Sequence, residues 1–410
     1  MGRNTGNIRN IRNFRNVRNV RNVRAVRGRR KEEYFFDYSL LLVVLFLIGF
    51  GLVMIYSASS YDASTSKSFN YDAAYFLKKQ AFASVLGIVA MFATAFIPYR
   101  FWERFAVIGY GVSAVLIALV LTPLGIEANG AKRWLNLGIS VQPAEIAKLA
   151  MILFLASMIS KMGKGIRTTK GFWLVAAMPL PICLMVWKIT SNLSSAIIIF
   201  GIAFLMLFVA SPEYKKFFLI GGIIIAAAAT IVIGLTMMDT EQLKEMGFRS
   251  ARILAWLSPE DYASDTAFQT LQSLYAIGSG GLFGKGIGQS MQKLGYLPEV
   301  QNDMIFALIC EELGIFGGIC VIMLFGLLIW RCMVIASNAS DLFGALLVVG
   351  VLGHIAIQVI LNIAVVTNTI PNTGISLPFI SYGGSSVMFL LVEIGLVLSV
   401  GRGIRLKESI

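Results

Sequence analysis

The stretch LLLVVLFLIGFGLVMIYSA, residues 40–58, decides the fold, because it holds no charged residue. As a helix, a run of this length crosses a hydrocarbon layer of about 30 Å, and it is too long for the apolar core of a leader peptide. It also lacks a small-residue cleavage site, so it is expected to be the first membrane span. Similar runs follow, among them Phe217 to Met238. Together they predict spans near 39–58, 80–97, 105–125, 143–160, 172–187, 193–210, 217–238, 304–330, 342–367 and 381–401. Composition agrees: of 410 residues, 57% are hydrophobic and only 14% charged, against about a quarter charged in soluble domains. The alternation of a β-barrel is absent, which leaves helices as the structure that satisfies every backbone polar group in hydrocarbon. The expected fold class is all-α, a polytopic membrane protein with about ten transmembrane helices and one large extracytoplasmic loop. Its expected parts are a disordered basic cytoplasmic tail (1–35), a membrane domain (36–405) with the large loop at 239–303, and a cytoplasmic C-terminal tail (406–410).

The net charge of +13 is unevenly spread: 11 of the 35 Lys and Arg residues lie in the first 31 positions, ten of them within and after the repeat NIRNIRNFRNVRNVRNVRAVR. Arginine at every third position does not hold one face of a 3.6-residue helix. The tract is read as a tail attracted to anionic lipids, at about 1 kcal/mol per basic residue near the surface. Phe14 is the one aromatic in that repeat, too little for base stacking, and no nucleic-acid partner is expected. Loop charges orient the chain. Alternate loops on the tail side hold Arg100, Arg104, Lys161, Lys164, Arg167, Lys170, Lys215, Lys216, Arg331, Arg402, Arg405 and Lys407. The short loops opposite hold Lys67, Lys78, Lys79, Lys132, Arg133 and Lys188, half as many. The positive-inside rule then puts both termini in the cytoplasm. Cys183, Cys310, Cys320 and Cys332 lie in apolar segments without metal-ligand spacing and read as packed small hydrophobes.

Three blocks carry chemistry. The first is NGAKRWLNLGISVQPAEIAKLA, residues 129–150. Its Lys132, Arg133 and Trp134 suit an interfacial anchor, and equally a phosphate site, since Arg grips phosphate bidentately. Glu145 and Lys148 share one face of the fourth span, as a functional pair at membrane depth or a structural ion pair. The second block is GSGGLFGKGIGQSMQKLGYLPEVQNDMIFALICEELGIFGG, residues 278–318. GKGIG lacks the strand and helix that make a nucleotide loop, so its glycines are read as tight turns beside a membrane-embedded substrate. Asp303 directly precedes the eighth span. It is a candidate general base with a raised pKa, or a helix N-cap. The third block is PNTGISLPFISYGGSS, residues 371–386, whose prolines and paired glycines predict a backbone break lining a cavity. His354 in the ninth span is read as a packing or hydrogen-bonding residue. In the large loop, FRSARILAWL and TAFQTLQSLYAI read as short amphipathic helices.

In this order and spacing the three blocks resemble the signatures of the SEDS family (shape, elongation, division and sporulation), represented by FtsW, RodA and SpoVE. The likeness runs from about residue 36 to 405. The pattern Gln292, Lys293, Tyr296, Leu297, Pro298, Glu299 resembles the FtsW/SpoVE branch more than RodA. The chain departs from the family's usual pattern at Gln301 and Asn302, and at Ala267, Phe268 and Gln269. The resemblance implies an inverting peptidoglycan glycosyltransferase of the cytoplasmic membrane. It would polymerise lipid II, the undecaprenyl-diphosphate-linked disaccharide peptide, on the outer face, beside a class B penicillin-binding protein and other division or elongation proteins. It implies Asp303 as the essential carboxylate. Arg133 and Trp134 match another functionally important family position. From the chemistry of the residues, Lys132, Arg133, Arg249, Arg252 and Lys293 are expected to neutralise the diphosphate, with Trp134, Gln269 and Glu299 as further substrate-binding candidates and Glu145 and Lys148 as intramembrane polar residues. A divalent cation, Mg or Mn, shared between the diphosphate and a carboxylate is a further expectation, since the sequence shows no dedicated metal cage. Two rival functions fit some of the same features. One is a flippase using Glu145, Lys148, Glu311, Glu312 and Glu393, and the other a scaffold for a transpeptidase. The gathering of polar motifs at the outer side favours polymerisation.

Overall fold

A computed structural model describes residues 36–404, apart from 129, 137, 139, 237–247 and 263–266. The basic tail and the last residues therefore lie outside the described part. Among the described residues, eight helical stretches are long and apolar enough to cross a membrane. In order the spans are α1 (Tyr38–Thr65), α2 (Tyr75–Phe96), α3 (Ala106–Leu119) and α4 (Pro143–Met162). A fifth is built from α5 (Thr169–Ala177) and α6 (Pro179–Ile189). Then come α7 (Leu193–Ala210) and α8 (Tyr214–Thr236). Two helices, α9 (Phe248–Leu257) and α10 (Phe268–Gly280), fill the large loop before α11 (Ile305–Ser337), α12 (Leu342–Val366) and α13 (Gly384–Arg402). The shorter α3 and the helix α8 complete the ten predicted spans. The α5–α6 break falls at Pro179, where a helix interior loses a donor.

Local chemistry sets the ends. Asp37 caps α1, its Oδ1 accepting from Leu40 N at 2.9 Å, and its other oxygen pairs with Arg331 at 2.7 Å, tying α1 to α11. Pro143 opens α4, where its missing N–H costs nothing. In the middle of the bundle α2 and α13 touch backbone to backbone. A Cβ on Gly395 would stand 1.8 Å from Thr94 Oγ1 and 2.4 Å from the Met91 carbonyl. Small residues of this kind let membrane helices associate by close packing. Spans α12 and α13 are the most enclosed of the bundle.

Two features lie beyond the expected all-helical pattern. Residues after α3 form a small antiparallel sheet, β1 (Gly125–Ala128), β2 (Ala131–Asn136) and β3 (Ser140–Val141). Lys132 there pairs with Glu127, and Trp134 with Ile126. The second is a break in α11 at Gly314, with φ 72°. The N–H groups of Ile315 and Phe316 leave the carbonyls of Glu311 and Glu312 and bond instead to Gly281 O (2.9 Å) and Leu282 O (3.2 Å). The freed carbonyls accept from Lys285 N (3.0 Å) and Gly286 N (2.9 Å). The glycine-rich loop is thus spliced into a membrane helix, and these four displaced backbone groups are paired again. Its tight turns serve that splice. An alanine at 314 would carry its Cβ 2.3 Å from Leu282 O at a left-handed φ. Gly314→Ala is therefore expected to destabilise by more than about 3 kcal/mol, seen as a large fall in melting temperature in detergent. An unchanged melting temperature would mean that the splice is dispensable.

Candidate functional site

Asp303 ends a tight turn in which Asn302 N bonds to Glu299 O at 3.0 Å, with Glu299 in the left-handed region. It is not the N-cap of α11: that position is Met304, and no side chain caps the helix there. Instead the carboxylate is half-buried at the loop-bearing end of the bundle, in a ring of amides. Gln269 of α10 donates from Nε2 to Asp303 Oδ1 (3.4 Å) and to the Pro298 carbonyl (3.1 Å). Asn372 donates from Nδ2 to Gln269 Oε1 at 2.7 Å. Buried Asn362 of α12 joins the Asp303 carbonyl (2.8 Å) to the Ile375 carbonyl (2.6 Å). Burial is the main cause that pushes the Asp303 carboxyl up to about 7, helped by the charge of Glu299 and opposed by a hydrogen bond from its own backbone N–H, by Arg252 and by Gln269. A carboxyl poised there is ionised often enough to accept a proton at neutral pH.

The cationic candidates divide. Arg252 of α9 donates from Nη1 to the Asn372 carbonyl at 3.2 Å and adds its charge at Asp303, so it belongs to the site. Arg249 lies on the same helix, one turn earlier; its side chain is outside the described residues. Arg133, half-buried on β2, donates to Ser191 O at 3.3 Å. The next helix returns that contact to the site, since Ser194 Oγ donates to the Thr373 carbonyl. Lys132 is exposed and Trp134 half-buried on the opposite face of the same strand. Lys293 turns into the bundle. Its ammonium is 3.1 Å from Glu312 Oε1 and 3.2 Å from Ser57 Oγ, only 7% of the residue is exposed, and it makes an internal ion pair. Exposed Glu299 accepts from Asn302 Nδ2.

Below the site a second polar group threads the bundle. Lys148 Nζ lies 2.8 Å from Glu145 Oε1 and 3.4 Å from Gln358 Oε1. Gln358 in turn donates to the Ser376 carbonyl at 3.0 Å, and Ser386 donates to Glu145 at 3.3 Å. The intramembrane pair therefore braces the segment 371–386 that closes over Asp303. His354 Nδ1 and Glu393 Oε2 are 2.8 Å apart, in keeping with a hydrogen-bonding histidine. Lys285 pairs with Glu311 at 2.7 Å. The four cysteines are free. Sequence reasoning singled out neither Asn362, Gln358 nor Asn372, although Asn372 lies within the third block.

Comparison with known proteins gives consistent matches. The model of the FtsW/RodA/SpoVE cell cycle protein family covers residues 38–405. Stage V sporulation protein E of Bacillus subtilis (strain 168) is 38% identical over 368 residues, 89% of this chain and 97% of that protein. A probable peptidoglycan glycosyltransferase FtsW of Trichlorobacter lovleyi is 38% identical over 379 residues, 92% of this chain and 95% of that one. Among solved structures, a chain of a peptidoglycan synthase complex that coordinates polymerization and crosslinking superimposes with a TM-score of 0.71. It is 26% identical and covers 90% of this chain and 98% of that one. The rod shape determining protein RodA of Thermus thermophilus gives a TM-score of 0.62 at 28% identity, covering 90% and 97%.

Proposed function

The chain belongs to the FtsW/RodA/SpoVE family, and from that premise we propose that it is a membrane-embedded peptidoglycan glycosyltransferase that polymerises lipid II at Asp303. The observation that carries the site assignment is a desolvated carboxyl at the membrane boundary, with one oxygen held by an amide and an arginine beside it. The C4 hydroxyl of the acceptor sugar gives its proton to Asp303 as its oxygen attacks C1 of the donor. The new C4–O–C1 bond forms with inversion, and the C1–O bond to the lipid diphosphate breaks, the diphosphate keeping the electron pair. That leaving group needs charge neutralisation rather than a proton, so a single carboxylate suffices. Arg252 and the basic residues Arg133 and Lys132 at the same end of the bundle are assigned to the diphosphate. A divalent cation would add the same neutralisation. Among the described residues no three His, Cys, Asp or Glu side chains converge to hold one, so no step is routed through a metal.

The charges that suit transport each have a close partner, Glu145 with Lys148, Glu311 with Lys285, Glu312 with Lys293 and Glu393 with His354, which supports the polymerase reading over a flippase. A class B penicillin-binding protein is the proposed partner, by analogy with the synthase complex. Purified protein with that partner should convert lipid II in detergent into glycan chains. Intact lipid II in that mixture would overturn the reading. The site acts on the outer face if both termini are cytoplasmic. With the native cysteines replaced, a single cysteine in 161–170 should resist a membrane-impermeant reagent in intact cells, whereas one at an exposed loop position such as Glu299 should react; the reverse pattern inverts the topology. The basic tail is assigned to anionic lipids.

A further inference from the structure

We propose that Asn372 is a positioning residue of this site: acting through Gln269, it fixes which oxygen of Asp303 is free to take the acceptor's proton. The proposal rests on Asp303 being the base, and its argument is one of hydrogen-bond polarity. Asn372 Oδ1 lies 3.1 Å from the Gly374 N–H. An N–H only donates, so the atom facing it must be the amide oxygen. The Asn372 nitrogen is then the one that reaches Gln269, and the Gln269 atom that receives it at 2.7 Å must be Oε1. With Oε1 engaged, Gln269 Nε2 turns to Asp303. The opposite end of the relay demands the same orientation independently, since Nε2 also donates to the Pro298 carbonyl at 3.1 Å, and a carbonyl only accepts.

The relay is held at fixed length by its backbone. The Asn372 carbonyl accepts from Arg252 on α9, the neighbouring Thr373 carbonyl accepts from Ser194 on α7, and Asn362 on α12 joins the Asp303 and Ile375 carbonyls. Three helices thus converge on a short segment whose one side-chain amide points at Gln269. The consequence for Asp303 is asymmetry. Oδ1 is taken by Gln269, while Oδ2 faces Gly374, where a Cβ would stand 3.7 Å away. Oδ2 is the oxygen assigned to the hydroxyl. Among the described residues, the charged groups acting on Asp303 are Glu299 from its own turn and Arg252 from α9, in opposite directions. A donor on Oδ1 favours the ionised form, so losing it moves Asp303 towards the protonated, inactive form.

The test is the pH dependence of kcat and KM for lipid II polymerisation by the full-length protein with its partner. In Asn372→Ala the rising limb of kcat should move about one pH unit to the alkaline side, the usual effect of one hydrogen bond to a charged group. That is about a fivefold loss at pH 7, approaching tenfold at lower pH and recovered at high pH, with KM unchanged. Asn372→Asp, the same shape without the donor, should shift the limb at least as far. In a Gln269→Ala background, Asn372→Ala should add less than about twofold, because the two act in series. A wild-type limb in Asn372→Ala, or full additivity with Gln269→Ala, overturns the relay. So does a loss independent of pH that follows a fall in melting temperature. A flat wild-type profile together with an active Asp303→Asn is a different result, and removes the base assignment on which the relay stands.

Discussion

Asp303→Asn is expected to lose polymerisation by a factor of roughly 10² to 10⁴, the usual worth of a positioned base, while remaining folded. The helix start does not depend on the residue, because Met304 holds the N-cap position without a side-chain cap. Asp303→Ala should therefore be equally inactive and nearly as stable. The variant also carries a stability signature. Burial raises the native carboxyl to about 7 from the ordinary 3.8. The folded state then holds a proton that the unfolded state releases. That contribution is complete below the unfolded value and fades as pH rises towards about 7. Asparagine has no proton to lose. Asp303→Asn should thus melt above the wild type at pH 8 and close to it near pH 4, and wild-type turnover should rise with pH through about 7. Melting curves and initial rates across that range measure both. Full turnover from the asparagine variant would take Asp303 out of the reaction, and a melting difference independent of pH would show that the carboxyl is not desolvated.

The spans were legible because hydropathy is local: each helix carries its own signal, and all ten runs correspond to helices. Their limits were less so. The third run, read as 105–125, ends as a helix at Leu119 because the chain turns through residues 120–124 into β1 at Gly125. The strands are too short to show a period-two pattern. The α11 break was visible only as a cluster of glycines, since the loop that repairs it begins about thirty residues upstream. For the site, Asp303 stood out by position and family likeness, whereas its setting is entirely tertiary. Gln269 and Asn372 are 103 residues apart, and Ser57 and Glu312 are separated by 255. No periodicity couples such positions. The same blindness hides the setting of Lys293, a basic residue in a family motif whose partners Glu312 and Ser57 come from distant parts of the chain.

Replacing Lys293 separates a fold-anchoring role from a substrate-binding one. The structure encloses its ammonium between Glu312 and Ser57, and Ser57 Oγ also lies 2.7 and 2.8 Å from the two Glu312 oxygens. Glu312 is fully buried, so removing the lysine strands a carboxylate in the bundle with one hydroxyl for company. Breaking a buried pair from one side costs about 3–5 kcal/mol, more than the pair itself stabilises, because the remaining charge is left uncompensated. Lys293→Met is therefore expected to melt far below the wild type and to purify poorly. The double variant Lys293→Met with Glu312→Gln removes both charges and should recover most of the loss, a non-additivity that only direct pairing produces. A lysine that gripped the lipid diphosphate would behave in the opposite way. Lys293→Met would keep its melting temperature and raise KM for lipid II, and Glu312→Gln would restore nothing. Melting temperature and KM for the two single variants and the double decide between an anchor of the fold and a ligand of the substrate, and a stable Lys293→Met with a raised KM would return this residue to the binding site.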